Sequence, residues 1–260
     1  MSIKVVAITP VYNETAEMIV KFINGMDEVR AELAALGVDF SHFLLNDGAL
    51  HLPEVMEEVD VLVKHKKNLG LATTLVDGYE AVLALEMPPD IIIRLDCQEH
   101  DPWKIISIVD SFLRSSARAI FLPVWYWTGG ENRPMQKDIM RIMVEFCANL
   151  SPINIEVVLS IYNQKFPLGY QAFGADFLRE IFPSLKKGLD IFQDKFNKPA
   201  TWGFDLLAML LAAKFNPETV DFMFGGWSKP WVENRGPEKI TAQQERARCM
   251  IDVAKELGCR

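Results

Sequence analysis

Through residues 4–124, short apolar runs of strand length alternate with segments of helical spacing, and that alternation leaves the chain very few architectures. Lys4–Ile8 (KVVAI) reads as a first strand, Phe40–Leu45 as a second, Val59–His65 as a third, Ile91–Leu95 as a fourth and Ala119–Val124 as a fifth. Between the first two, Ile19, Phe22, Ile23, Met26, Val29 and Leu33 fall on one face of a helix predicted from Thr15 to about Leu36, which Gly37 closes. Further helices are predicted from about Ala72 to Leu85 and from Trp103 to Arg114. Strands separated by helices pair through crossovers, which makes the sheet parallel and covers both its faces with helices.

The predicted strands share a second property. TPVYNE follows the first, LLNDGA ends the second, KKNLG follows the third and LDCQEHD ends the fourth. In a parallel sheet these polar clusters share one edge, the carboxyl edge where open α/β sheets bind ligands. The densest is the last, where Asp96, Glu99, His100 and Asp101 crowd ahead of Pro102, a residue suited to open a helix. Asp96 and its neighbours suit a divalent cation held against a phosphate. Asp101 equally suits an N-cap for the helix at Pro102, and the residues alone leave both readings open.

The second half is less regular. Trp125–Pro134 (WYWTGGENRP) reads as an aromatic, glycine-bearing loop and Met135–Leu150 as a helix. Pro167–Gly174 (PLGYQAFG) reads as a turn with a short run, Ala175–Phe182 as a helix and Lys186–Lys198 as an exposed polar stretch. Trp202–Phe215 is a strongly apolar helix with one acid, Asp205, near its start; Gly225–Pro237 is irregular. The chain closes in an amphipathic helix, about Thr241–Leu257, which offers a face for a homo-oligomer. The composition shift near Trp125 divides one domain, 1–260, into halves 1–125 and 126–260.

Charge and cysteine usage exclude several classes. A net charge of −8 argues against a nucleic-acid binder and gives no polybasic anchor for an anionic membrane. No apolar run approaches the roughly 20 residues of a transmembrane helix. The apolar run of MSIKVVAITP is too short for a signal peptide's core and cleavage site. Four scattered cysteines without a CxxC pair argue against zinc and fit a reduced, cytoplasmic setting, with peripheral membrane attachment left open. The absence of a G-x-G-x-x-G or G-x-x-x-x-G-K-[ST] loop argues against a dinucleotide-binding enzyme or a phosphate-loop nucleotidase.

The order of these motifs resembles the family 2 glycosyltransferases, which use nucleotide sugars and have the GT-A fold. Within them the chain is most similar to the polyprenyl- or dolichyl-phosphate sugar transferase type. The resemblance rests on VVAITPVYNE, LLNDGA (a variant of "DDGS"), KNLGLATTLVDGYEAVL, LDCQEHDP at the family's DxD segment, and PLGYQAF and WGFDLLAMLLAA in the acceptor half. It implies a Rossmann-like, mostly parallel central sheet flanked by helices, with a less regular acceptor-binding half. It implies a nucleotide-diphosphate sugar donor, an inverting transfer and a divalent cation, Mg2+ or Mn2+. By the resemblance, Pro10, Tyr12 and Glu14 line the donor's base and ribose, Asp47 contacts the base, and Asn68 and Gly70 approach the nucleotide's backbone side. Asp96 becomes the first acid of the DxD, at the metal and diphosphate, and Asp205 the candidate general base.

This chain departs from the pattern at several points. Gln98 stands where the second acid of the DxD belongs, Asn46 precedes Asp47 where an acid is usual, and Ala49 replaces a serine. A neutral amide still offers the metal an oxygen, so Gln98 is the second candidate ligand, with less charge than an acid. The changes point to an unusual donor, weak metal use, or a nucleotide-sugar-binding relative whose catalysis is impaired. For the leaving diphosphate, Arg133 and Lys137 are the candidate cations, and His100 a further contact. Trp125, Trp127, Trp227 and Trp231 are candidates to stack on a sugar or cover a lipid, and equally for plain packing. The acceptor stays open between a lipid phosphate, a glycan, a protein and a small metabolite.

Overall fold

The computed structural model describes residues 2–49, 61–97, 101–122, 125–126, 170–197, 200, 203–223, 227–228 and 237–259. The chain begins in the middle of a sheet with β1 (Ile3–Val11) and crosses through α1 (Ala16–Ala35) to β2 (Val38–Asn46) at its side. β3 (Val61–Lys64) extends the sheet outward on that side. After α2 (Leu71–Leu83) the chain returns to the opposite side of β1 as β4 (Ile91–Arg94). Then follow α3 (Lys104–Arg114), β5 (Ala119–Leu122), β6 (Trp125–Tyr126), β7 (Tyr170–Gly174), α4 (Ala175–Phe196) and α5 (Phe204–Phe215). β8 (Val220–Phe222), β9 (Trp227–Ser228) and α6 (Pro237–Glu256) complete the described elements. The seven-stranded sheet has the order β3–β2–β1–β4–β7–β5–β8, and only β7 runs against its neighbours.

Strands buried on both faces sort their side chains by parity. Val5, Ala7, Ile91, Ile93, Ile120 and Ala172 face α1 and α3; Val6, Ile8, Ile92, Phe121 and Phe173 face α2, α4, α5 and α6. The face of α1 expected from its spacing is the buried one, Thr15 caps it by accepting the Met18 N–H, and Gly37 ends it at φ 76°.

Three expectations need correction. The strand β1 runs on through Thr9–Val11, so the loop expected from Thr9 begins only at Tyr12. Tyr170–Gly174 is a central strand between β4 and β5, too short a run to stand out in the sequence. And α4 continues past Pro183 to Phe196, so the stretch from Lys186 is helical and half-hidden. Pro183 removes a helix hydrogen bond, but Leu185, Leu189 and Phe192 return to the core at helical spacing and offset that cost.

The C-terminal helix α6 lays Ala247, Met250, Ile251, Val253 and Ala254 into the same core as α4 and α5. The apolar face offered to a homo-oligomer is therefore covered within the chain. A separate two-stranded pair sets β6 beside β9 in parallel, with Trp125 opposite Trp227. Among the described residues no helix is long and apolar enough to cross a membrane.

Candidate functional site

Winding reverses between β1 and β4: the chain leaves β1 to one side and comes back on the other. At such a switch point the loops beyond the carboxyl ends diverge and leave a crevice. Pro10 lies buried at the end of β1, and Tyr12, just beyond, is 43% exposed. The carboxylate of Glu14 folds back to accept the Tyr12 N–H at 2.6 Å, which fixes the loop that carries the ring. Below it, the buried Thr9 Oγ1 meets His42 Nε2 at 3.0 Å. Burial first, and the Arg30 charge second, push the His42 imidazole down to about 3, so it is neutral.

Asp47 organises the neighbouring loops. Its N–H donates to the Val11 carbonyl at 3.0 Å, tying the end of β2 to the end of β1. Its buried carboxylate accepts the N–H groups of Leu69 (2.7 Å) and Gly70 (3.0 Å) and meets His65 Nδ1 at 3.1 Å. His65 is held from its other side by Asp77 at 3.0 Å. Gly48 makes this approach possible: at φ 80°, a Cβ there would stand 2.4 Å from the Lys67 carbonyl carbon. Asn46 turns the same loop by accepting the Ala49 N–H at 2.7 Å. Asn68, exposed, projects from the turn that Asp47 clamps, while the Gly70 N–H points inward at Asp47.

On the β4 side the strand ends in a buried charge. Arg94 is 3% exposed, and its Nη2 donates to Asp96 Oδ1 at 2.5 Å; the Asp96 side chain is 32% exposed. In register beside Arg94 on β7 is Gln171, fully buried, whose Oε1 accepts the Tyr79 hydroxyl at 3.3 Å. Burial raises the Tyr79 hydroxyl well above its usual range, with Arg94 pulling it down and Asp96 pushing it up. A polar group of Arg94, Gln171 and Tyr79 thus underlies Asp96. Sequence reasoning passed over it, although an arginine inside IIIRL was a signal, because a charge within a buried strand requires a partner.

Cys97 turns the other way. Its Sγ lies 3.7 Å from the Met18 carbonyl, and burial, followed by the charges of Glu14 and Asp96, pushes the thiol up to about 12. Asp101 accepts the Trp103 N–H at 3.1 Å in a turn ahead of the helix, which starts at Lys104 with Trp103 at its N-cap, so Asp101 is not the cap of a helix beginning at Pro102. Tyr170 donates its hydroxyl to the Asp101 carbonyl at 3.1 Å and holds that turn against β7.

The described residues do not fit a divalent cation well. One Asp96 oxygen is engaged by a guanidinium, Cys97 is a protonated thiol facing the core, and no group of three His, Cys, Asp or Glu able to hold a metal occurs among the described residues. Gln98, Glu99, His100, Arg133, Lys137, Trp127, Trp231 and the expected helix Met135–Leu150 lie outside the described residues.

From the second half, Asp205 lies half-buried in the first turn of α5, after Gly203. Ala200 ties this region to the first half of the chain: its carbonyl accepts the Ala72 N–H at 3.1 Å, in the first turn of α2. Asp205 therefore follows a segment anchored beside the turn that Asp47 holds.

No protein-family model and no curated protein matches the chain. Solved structures do. The crystal structure of M. tuberculosis glucosyl-3-phosphoglycerate synthase superposes with a TM-score of 0.57 at 12% identity, covering 97% of this chain and 81% of that one. The Mycobacterium tuberculosis enzyme in complex with Mn2+, uridine diphosphate and phosphoglyceric acid gives 0.57 at 14% identity, covering 96% and 78%. At such identities the likeness is one of fold. The mixed, mostly parallel sheet and its flanking helices have the GT-A, Rossmann-like architecture.

Proposed function

We propose that this chain is a nucleotide-sugar glycosyltransferase of the family 2 kind, binding its donor in the crevice between β1 and β4. The observation that carries the reading is convergence. Pro10, Tyr12 and Glu14, the Asp47–Gly70 clamp, and Asp96 come from separate stretches of sequence and meet at one switch point. They do so in a fold also found in a solved synthase whose complex contains uridine diphosphate.

In this reading the exposed ring of Tyr12 stacks on the base, and Pro10 shapes the floor beneath it. The loop 46–49 and the turn at Asn68 border the base and ribose, with Asp47 holding both. Asp96 faces the diphosphate end. Transfer to an acceptor hydroxyl with inversion needs a base opposite the leaving group, and Asp205 is the candidate. Arg133 remains a candidate cation for the charge of the leaving diphosphate. Residues 1–125 then form the donor half and 126–260 the acceptor half of one domain, acting in the cytoplasm.

A thermal-shift panel of UDP, GDP, UDP-glucose and GDP-mannose tests the proposal. One nucleotide and its sugar should raise the melting temperature, and Tyr12→Ala should reduce the shift. No shift with any of the four removes the reading. A second reading, a binding relative without transfer, is favoured by Gln98 in the metal motif and by the Arg94–Asp96 pair. It predicts the same shifts but no release of sugar from any donor.

A further inference from the structure

We propose that Arg94 takes the place of a divalent cation in this crevice, holding Asp96 in an internal ion pair so that the nucleotide diphosphate binds without metal. The proposal rests on the donor-site reading above and goes beyond it in saying how the site balances charge.

Arg94 is the last residue of β4, almost fully buried, and arginine keeps its charge in proteins. A buried charge without a counter-ion is strongly unfavourable. Asp96 is a counter-ion within hydrogen-bonding distance, at 2.5 Å. Gln171, its register neighbour on β7, and Tyr79, which donates to Gln171, bring no charge of their own. A dication on Asp96 would set three positive charges around one carboxylate and weaken the hold on a guanidinium that cannot leave the core.

The pair closes on itself: Asp96 brings −1 and Arg94 brings +1, so the two sum to zero with no ion.

The test uses the full chain and Mn2+ alone, following the free-ion paramagnetic resonance signal. Arg94→Met should bind Mn2+ at least tenfold more tightly than the wild type. The gain should vanish in Arg94→Met/Asp96→Asn, and Arg94→Lys should stay with the wild type. In parallel, calorimetry of UDP and GDP with the wild type should give affinities equal within twofold in Mn2+ and in chelator. A wild type that binds Mn2+ as tightly as Arg94→Met overturns the proposal, as does nucleotide affinity raised tenfold or more by Mn2+. The nucleotide arm needs no variant, so it decides even if Arg94→Met does not fold. Failure of every nucleotide to bind removes the donor-site reading instead, while the Mn2+ arm still judges Arg94.

Discussion

Two aspartates stand just beyond the strands that flank β1, on the same edge, and they are engaged in different ways. Asp47, past β2, is buried, and its carboxylate takes two backbone N–H groups and a histidine. Asp96, past β4, is a third exposed and is held by one buried guanidinium. The first is a brace: it shapes three loops and has little carboxylate surface left for a ligand. The second stands at the surface of the crevice with its charge already answered from below. A carboxylate at a strand end marks the edge where ligands bind, but burial and partners decide whether it builds the site or faces it.

The brace side predicts the larger losses of stability. Asp47→Ala strips a buried donor set of its acceptor and should cost about 4 kcal/mol, lowering the melting temperature by roughly 10 °C. Asp96→Ala, near the surface, should stay within about 1.5 kcal/mol of wild type. Equal losses for the two would erase the distinction between them.

Gly48→Ala sharpens the same point. Its Cβ would meet the backbone of Lys67 at 2.4 Å, whereas Gly37, with a similar positive φ, has nothing within 4 Å. Denaturant unfolding should give about 3 kcal/mol for Gly48→Ala and about 1 for Gly37→Ala. Equal costs would mean that backbone conformation alone matters and that the loop contact does not.

For transfer rather than stability, Asp205→Asn should keep nucleotide binding and lower turnover about 100-fold or more. Near wild-type turnover would dismiss Asp205 as the base.

A pH-dependent effect concerns the floor under β1. His42 is held at about 3 when folded against 6.5 when free, so its contribution to stability is complete above about pH 6.5. It is lost as pH falls toward 3, at up to about 1.4 kcal/mol per pH unit in that window. Urea midpoints measured across this range should fall less steeply in His42→Gln than in wild type. Parallel slopes would place the acid sensitivity elsewhere.

The parallel half was legible because its signals are local. Apolar runs of strand length and the helical stripe from Ile19 to Leu33 each sit within one window of sequence. What escaped detection depends on contacts between distant segments. Tyr170–Gly174 is recognisable as a central strand only once β4 and β5 flank it. The stripe Leu185–Leu189–Phe192 is hidden among lysines and aspartates until α5 and α6 cover it. In the site, the positions of Tyr12, Asp47 and Asp96 followed from their place after strands. That Asp47 braces Leu69 and Gly70, and that Arg94 holds Asp96, required the fold.

The central claim is that a nucleotide sugar occupies the crevice between β1 and β4. Hydrogen–deuterium exchange with and without the nucleotide selected by the thermal-shift panel tests it most directly. The account predicts slowed exchange in the loops after β1 (Tyr12–Glu14), β2 (Asn46–Ala49) and β3 (His65–Gly70), and at Leu95–Cys97 after β4. Protection confined to other segments, with these four unchanged, would contradict it.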